Sequence, residues 1–165
     1  MYIQKLNILN IKTDIIVISA HPTLIAGSGI SGIIHKAAGP ELEQYAKPLG
    51  PLKPGQAVIT PAFNLKAKYI IHTICPRYMD GRRGEEEQLA CAYSSALALG
   101  NQACDAKSIA FVSMGTGVYR WPLTIAAHIA VQELLKSKLD KTILCVLDKQ
   151  TRNAYQEALT AITGH

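Results

Sequence analysis

An α/β sandwich with a mostly parallel sheet is the fold this sequence predicts, on three observations. Short apolar runs alternate with helix-like segments along all 165 residues. Several runs, such as IIVI at 15–18, are continuously apolar, as strands covered on both faces are. Two of them lead into loops of small residues, AGSG at 26–29 and GTG at 115–117. Sheets of this class put their ligands at the carboxyl ends of strands, where both loops lie.

The expected strands are Tyr2–Ile8, Ile15–Ser19, Ala57–Pro61, Tyr69–Thr73, Ser108–Val112 and Thr142–Leu147. Ser31–Ala38 reads as the first helix, with Ser31 placed to cap it and Gly39 to end it. Pro40–Tyr45 adds a second turn. Gly84–Leu99 opens on three glutamates, which suit the positive end of a helix dipole. Pro122–Lys138 has proline at its start and lysines at its end, both at the favoured positions. Asp148 or Thr151 caps a last helix through Ile162. The densest proline and glycine stretch, Pro48–Gly55, reads as a surface loop, because a strand pattern resumes at Ala57. No repeat or long linker divides the chain, so residues 1–165 are expected to form a single domain.

Composition sets the class. Hydrophobic residues make up 48% of the chain, ordinary for a globular protein. No apolar stretch is long enough to span a bilayer, and the start, MYIQKLNILNIK, lacks the unbroken apolar core of a signal peptide. A cytoplasmic location is expected, with no membrane partner. The four cysteines form no CxxC pair, and no cluster has metal-ligand spacing, so no metal and no cofactor are expected. Cys91 and Cys145 lie in apolar stretches and read as buried thiols. The net charge of +5 favours anionic partners, but the basic residues are scattered. Arg82 and Arg83 are followed at once by Glu85, Glu86 and Glu87. Sequence-specific nucleic-acid binding is not expected from that pattern.

The first loop, Gly27-Ser28-Gly29-Ile30-Ser31-Gly32, has neither the lysine of a Walker A loop nor the acidic partner of a dinucleotide fold. Alone it suits a structural turn as well as a phosphate grip. The second, Gly115-Thr116-Gly117-Val118-Tyr119, sets a hydroxyl between two glycines and an aromatic after them, which could stack on a sugar or pack in the core. Two such loops can aim backbone N–H groups at one anion. His21 follows a strand at the rim of the expected cleft. His72 and His128 read as packed, hydrogen-bonded residues and His35 as a helix residue. Asp14 reads as a local cap and Asp80 as the aspartate of an Asp-Gly turn. No GxSxG elbow is present.

Taken together, the stretches TDIIVISAHPTLIAGSGISGIIHKAAGPELE, PGQAVITPAFNLKAKYIIHTICPRY, KSIAFVSMGTGVYRWPLTIAAHIAV and ILCVLDKQTRNAYQEAL resemble the macro domain family in order and spacing. The resemblance implies a three-layer α/β/α sandwich with a mixed, mostly parallel sheet that binds ADP-ribose. It implies that Gly27, Ser28, Gly29 and Ile30, with Gly115, Thr116, Gly117, Val118 and Tyr119, hold the diphosphate and distal ribose. By register, Asn7 stands where an acidic residue reads the adenine amino group, with Ile8 as apolar neighbour.

The departures concern chemistry. Hydrolytic members carry Asn-Ala-Ala-Asn where this chain has Ile18-Ser19-Ala20-His21, so His21 replaces the asparagine at the distal ribose. Their water-activating aspartate corresponds to Ser31, which cannot serve as a carboxylate base. His21 is the candidate substitute base. The implied function is binding of ADP-ribose, a related nucleotide or an ADP-ribosylated macromolecule, with weak or no hydrolysis. One alternative is a divergent ADP-ribosyl hydrolase acting on protein, nucleic acid or O-acetyl-ADP-ribose. A second is altered nucleotide specificity or a protein-interaction role.

Overall fold

In the computed structural model, which describes residues 1–117 and 119–164, the chain runs in the order β1 (Tyr2–Lys5), β2 (Ile15–Ser19), α1 (Gly29–Ala38), α2 (Glu41–Ala46), β3 (Ala57–Pro61), β4 (Tyr69–Thr73), α3 (Glu85–Gln102), β5 (Ser108–Val112), α4 (Leu123–Leu134), β6 (Lys141–Val146) and α5 (Lys149–Thr163). The six strands form one sheet in the order β1-β6-β5-β2-β4-β3. Every neighbouring pair is parallel except β3 with β4, so the sheet is mixed, with its antiparallel strand at one edge. On one side α4 packs against both α3 and α5, and α1 contacts α2 on the other. Among the described residues, no helix is long and apolar enough to cross a membrane.

The central strands are built on the longest buried apolar runs. In β2, residues 15–18 are buried, flanked by Ile109–Phe111 of β5 and Tyr69–Thr73 of β4. Asp14 was expected to act locally. Instead its carboxylate accepts the N–H groups of Lys107 (2.8 Å) and Ser108 (3.3 Å), and its own N–H donates to Ser108 Oγ. It therefore pins the start of β2 to the start of β5 across 94 residues of chain. The Lys107 N–H, with Lys68 and Ser108, holds the Asp14 carboxyl below its usual range.

The topology opens a crevice at the far ends of these two strands. From β2 the chain crosses toward β3 and β4; from β5 it crosses the other way, toward β6. The two connections diverge, and open α/β sheets bind ligands at such a point.

Several expected boundaries move. The first strand ends at Lys5, not Ile8. Residues Ile8–Asn10 form a 3-10 turn capped by Asn7, whose Oδ1 accepts the Leu9 N–H at 3.0 Å. The first helix begins at Gly29, so Ser28 holds the cap position and Ser31 lies inside the first turn. Asp148, not Thr151, caps α5, accepting the Thr151 N–H at 2.7 Å. The expected helix over 122–138 stops at Leu134, short of its lysines. Cys145 is buried as expected, but Cys91 is exposed on the outer side of α3. His128, expected to be packed, is exposed on α4. His72 is buried, with its Nε2 3.0 Å from Thr60 Oγ1.

Candidate functional site

At the divergence of the β2 and β5 connections lies a cleft of about 500 Å³, within the range of small-molecule sites. Its walls are the last residue of β2 and the one after it (Ser19, Ala20), the last residue of β5 and the one after it (Val112, Ser113), His21, the run Gly27–Ser31, and Gly115, Gly117 and Tyr119. The two glycine loops therefore meet around one space. Val118 lies outside the described residues. Asn7, Ile8 and Thr116 are not among the residues lining this cleft. Ser19 and Ala20, met in the sequence only as part of the altered motif before His21, line it too, as do Val112 and Ser113, which the sequence did not single out. Their signal was their place at strand ends, since as residue types they are unremarkable.

The first loop needs its glycines for two different reasons. Gly27 and Gly29 have φ of +65° and +61°, a region L side chains rarely adopt. Gly32, inside α1, packs against the loop: a Cβ there would lie 2.8 Å from the Gly27 carbonyl oxygen. Ser28 makes no side-chain cap bond. First-turn N–H groups have no intrahelical acceptor, so the start of α1 presents unfilled donors along the Gly29–Ser31 wall of the cleft. From behind, Glu43 of α2 accepts the Ala26 N–H at 2.7 Å and anchors the loop.

The second loop is anchored from below and from its far end. The buried Tyr93 hydroxyl accepts the Met114 N–H at 3.0 Å. Trp121, also buried, closes over Gly115, whose added Cβ would come within 2.5 Å of its indole. The Trp121 N–H donates to the Gly115 carbonyl at 2.9 Å.

Electrostatically the cleft is unusual in one respect. No aspartate, glutamate, lysine or arginine is among its described lining residues. Affinity for an anion must come from backbone N–H dipoles and hydroxyls. Ser31 is 4% exposed, and its Oγ has no protein partner among the described residues. That hydroxyl is a buried, unpaired polar atom at the wall of the cleft. Below α1, His35 and His72 lie edge to face, 6.0 Å apart. Burial holds both imidazoles below their usual range, His72 down to about 3, to which its neighbour His35 also contributes.

His21 is exposed, and its Nδ1 accepts the Thr23 N–H at 3.1 Å, with Thr23 Oγ1 at 2.8 Å. A backbone N–H can only donate, so Nδ1 must be the acceptor nitrogen. In the neutral ring the proton then sits on Nε2. This tautomer offers a donor, and it leaves no free lone pair for a base.

A family profile described as the macro domain matches residues 17–130, a span that contains both glycine loops. This chain belongs to the macro domain family. It is 44% identical over 152 residues to an uncharacterised protein of Fusobacterium nucleatum, covering 88% of this chain and 86% of that one. It is 37% identical over 164 residues to an O-acetyl-ADP-ribose deacetylase of Klebsiella pneumoniae, covering 94% and 93% of the two chains. Its fold matches a macrodomain of Oceanobacillus iheyensis, a glycine-to-valine variant solved with ADPR, at a TM-score of 0.91 and 32% identity. That match covers 99% of this chain and 93% of the other. The three-layer, mixed-sheet expectation is thereby met in this macro domain.

Proposed function

We propose that this macro domain, acting as one unit over residues 1–165, binds ADP-ribose or an ADP-ribosylated macromolecule and hydrolyses it weakly or not at all. The observation that carries this reading is the single cleft walled by both glycine loops and lacking fixed charge. Backbone N–H groups from Gly27–Ser31 and Gly115–Tyr119 hold the diphosphate and distal ribose, with Thr116 and Val118 belonging to the second grip. The Oceanobacillus relative, solved with ADPR, supports the choice of ligand. Weak hydrolysis follows from the side chains. Ser31 supplies no carboxylate, and the neutral His21 carries its proton on Nε2. Loss of a positioned base costs a factor of about 100 to 10,000 in rate.

The Klebsiella relative's name favours a second reading, a divergent ADP-ribosyl hydrolase. Asn7 bears on a third, altered nucleotide choice. One lone pair of its Oδ1 is already occupied by Leu9 N–H, so the group it offers most freely is the donating amide nitrogen.

Isothermal titration calorimetry with ADP-ribose tests the first reading, which predicts saturable binding; no heat and no thermal shift at millimolar ligand would overturn it. Release of acetate or ADP-ribose from O-acetyl-ADP-ribose, lost in His21→Ala, would establish the second. Tighter binding of a nucleotide with another base would establish the third.

A further inference from the structure

Next to the main cleft, and sharing Tyr119 with it, lies a second hollow of about 430 Å³ lined by Arg77, Tyr78, Met79, Tyr119 and Arg120. The segment after β4 and the segment after β5 build it together. The Tyr78 N–H donates to the Tyr119 carbonyl at 3.1 Å, and Trp121 Nε1–H donates to the Pro76 carbonyl at 2.8 Å. The Tyr78 and Trp121 rings lie 5.0 Å apart. Glu85 is buried beneath the loop, where its carboxylate accepts the N–H groups of Met79, Asp80, Gly81 and Arg83. Its charge is used to hold the loop in shape.

The cations on this wall are not neutralised from within. Asp80 is engaged by Arg83 at 3.4 Å. Among the described residues, no carboxylate lies within ion-pair distance of Arg77 or Arg120. The Arg77 guanidinium sits 5.4 Å from the centre of the Tyr119 ring. Arg120 is held at φ +60°, a backbone conformation that non-glycine residues rarely adopt. Two open guanidinium forks beside one hollow match the oxygens of a phosphate.

We propose that this hollow is a phosphate subsite for single-stranded nucleic acid, bound without sequence preference beside the ligand of the main cleft. The aromatic rings of Tyr78 and Tyr119 favour a polynucleotide over a phosphopeptide. With Met79, which is 64% exposed, they give flat and apolar surfaces next to the guanidiniums, the combination on which bases stack. The net charge of +5 acts in the same direction. The site stands on its own geometry, whichever ligand the main cleft takes.

Fluorescence anisotropy with a short labelled oligothymidylate bearing a 5′-phosphate tests the assignment. The same strand with a 5′-hydroxyl and a phosphoserine peptide serve as competing probes. The strand, with or without its 5′-phosphate, is expected to bind several-fold tighter than the peptide. The double variant Arg77→Gln/Arg120→Gln should lose that preference while melting at the wild-type temperature and keeping wild-type affinity for ADP-ribose. Its slope of log affinity against log salt should fall by about 0.7 for each lost phosphate contact. Arg120→Gln alone, at an exposed position, serves the same comparison if the double variant melts early. Absent strand binding, equal binding by the variant, or tighter binding of the peptide would overturn the proposal. Failure of ADP-ribose itself to bind would overturn only the reading of the main cleft.

Discussion

Replacing Gly32 by alanine sets helix propensity against a steric contact, and the structure says which should win. Alanine in a helix interior is favoured over glycine by about 1 kcal/mol, so a surface view predicts a more stable protein. The added Cβ, however, would lie 2.8 Å from the Gly27 carbonyl oxygen, whereas ordinary contact begins at 3.4 Å. The oxygen belongs to backbone and cannot rotate away, so the loop must retreat by about 0.6 Å. Crowding of this kind costs about 1–3 kcal/mol, leaving a net destabilisation of roughly 0–2 kcal/mol. The larger effect falls on the ligand. The displaced segment carries the first set of donors, and each charge-assisted hydrogen bond lost is worth about 1.5–3 kcal/mol. ADP-ribose affinity should therefore drop by about tenfold or more. Urea denaturation and calorimetry on Gly32→Ala measure the two quantities separately. A variant that is stabilised by about 1 kcal/mol and binds ADP-ribose unchanged would refute the contact argument.

Other outcomes follow from the same geometry. A Cβ at Gly117 meets nothing within 4 Å, so Gly117→Glu should fold normally yet lose ADP-ribose binding by about 100-fold through charge against the diphosphate, while Gly117→Ala binds nearly as wild type; calorimetry on the pair separates charge from bulk. The Glu85 carboxyl is held down to about 2 by the Met79 N–H and three further N–H donors, against 4.5 ordinarily. Its folded value is depressed, so its contribution is present above about 4.5 and is lost as pH falls toward about 2. Thermal melts of Glu85→Gln across that range should show a flatter acid limb and a lower plateau at neutral pH. His72 behaves differently in origin but alike in sign. The unfolded chain takes its proton near 6.5 and the folded one only near 3, so stability declines as pH falls through that window, and His72→Leu should reduce the decline. Burial pushes the Cys75 thiol up to about 12 and the Cys145 thiol to about 11, while Cys91 and Cys104 are exposed. Iodoacetamide at neutral pH, read by mass spectrometry, should therefore label Cys91 and Cys104 and spare the other two.

The inner strands were legible to the residue: Ile15–Ser19, Tyr69–Thr73 and Ser108–Val112 have the expected bounds because each is centred on a run of buried apolar residues, and the polar groups β4 does bury, His72 and Thr73, find hydrogen-bond partners inside. The start of α1 was not, because a helix that begins on glycine carries no propensity signal at its own first residue. Cys91 misled through its neighbours, since an apolar stretch on a helix still has an outer side. The two glycine loops were legible from spacing, but not the partners that aim them: Glu43 and Tyr93 lie 17 and 21 residues from the N–H groups they hold, further than any local pattern reaches. The glutamates at 85–87 were read together as dipole complements. Only the fold distinguishes Glu85, which turns back to hold the loop from Met79 to Arg83.

A cleft that grips through peptide groups has no side chain to lose. Amide dipoles do not titrate in the physiological range and cannot be deleted by changing a residue, only displaced by changing the path of the chain. On the proposed reading, positions 21 and 31 hold histidine and serine without dismantling the grip, and what they alter is the reactivity of the bound molecule. Recognition here is inherited with the fold, whereas chemistry is inherited residue by residue, and each can be gained or surrendered without the other.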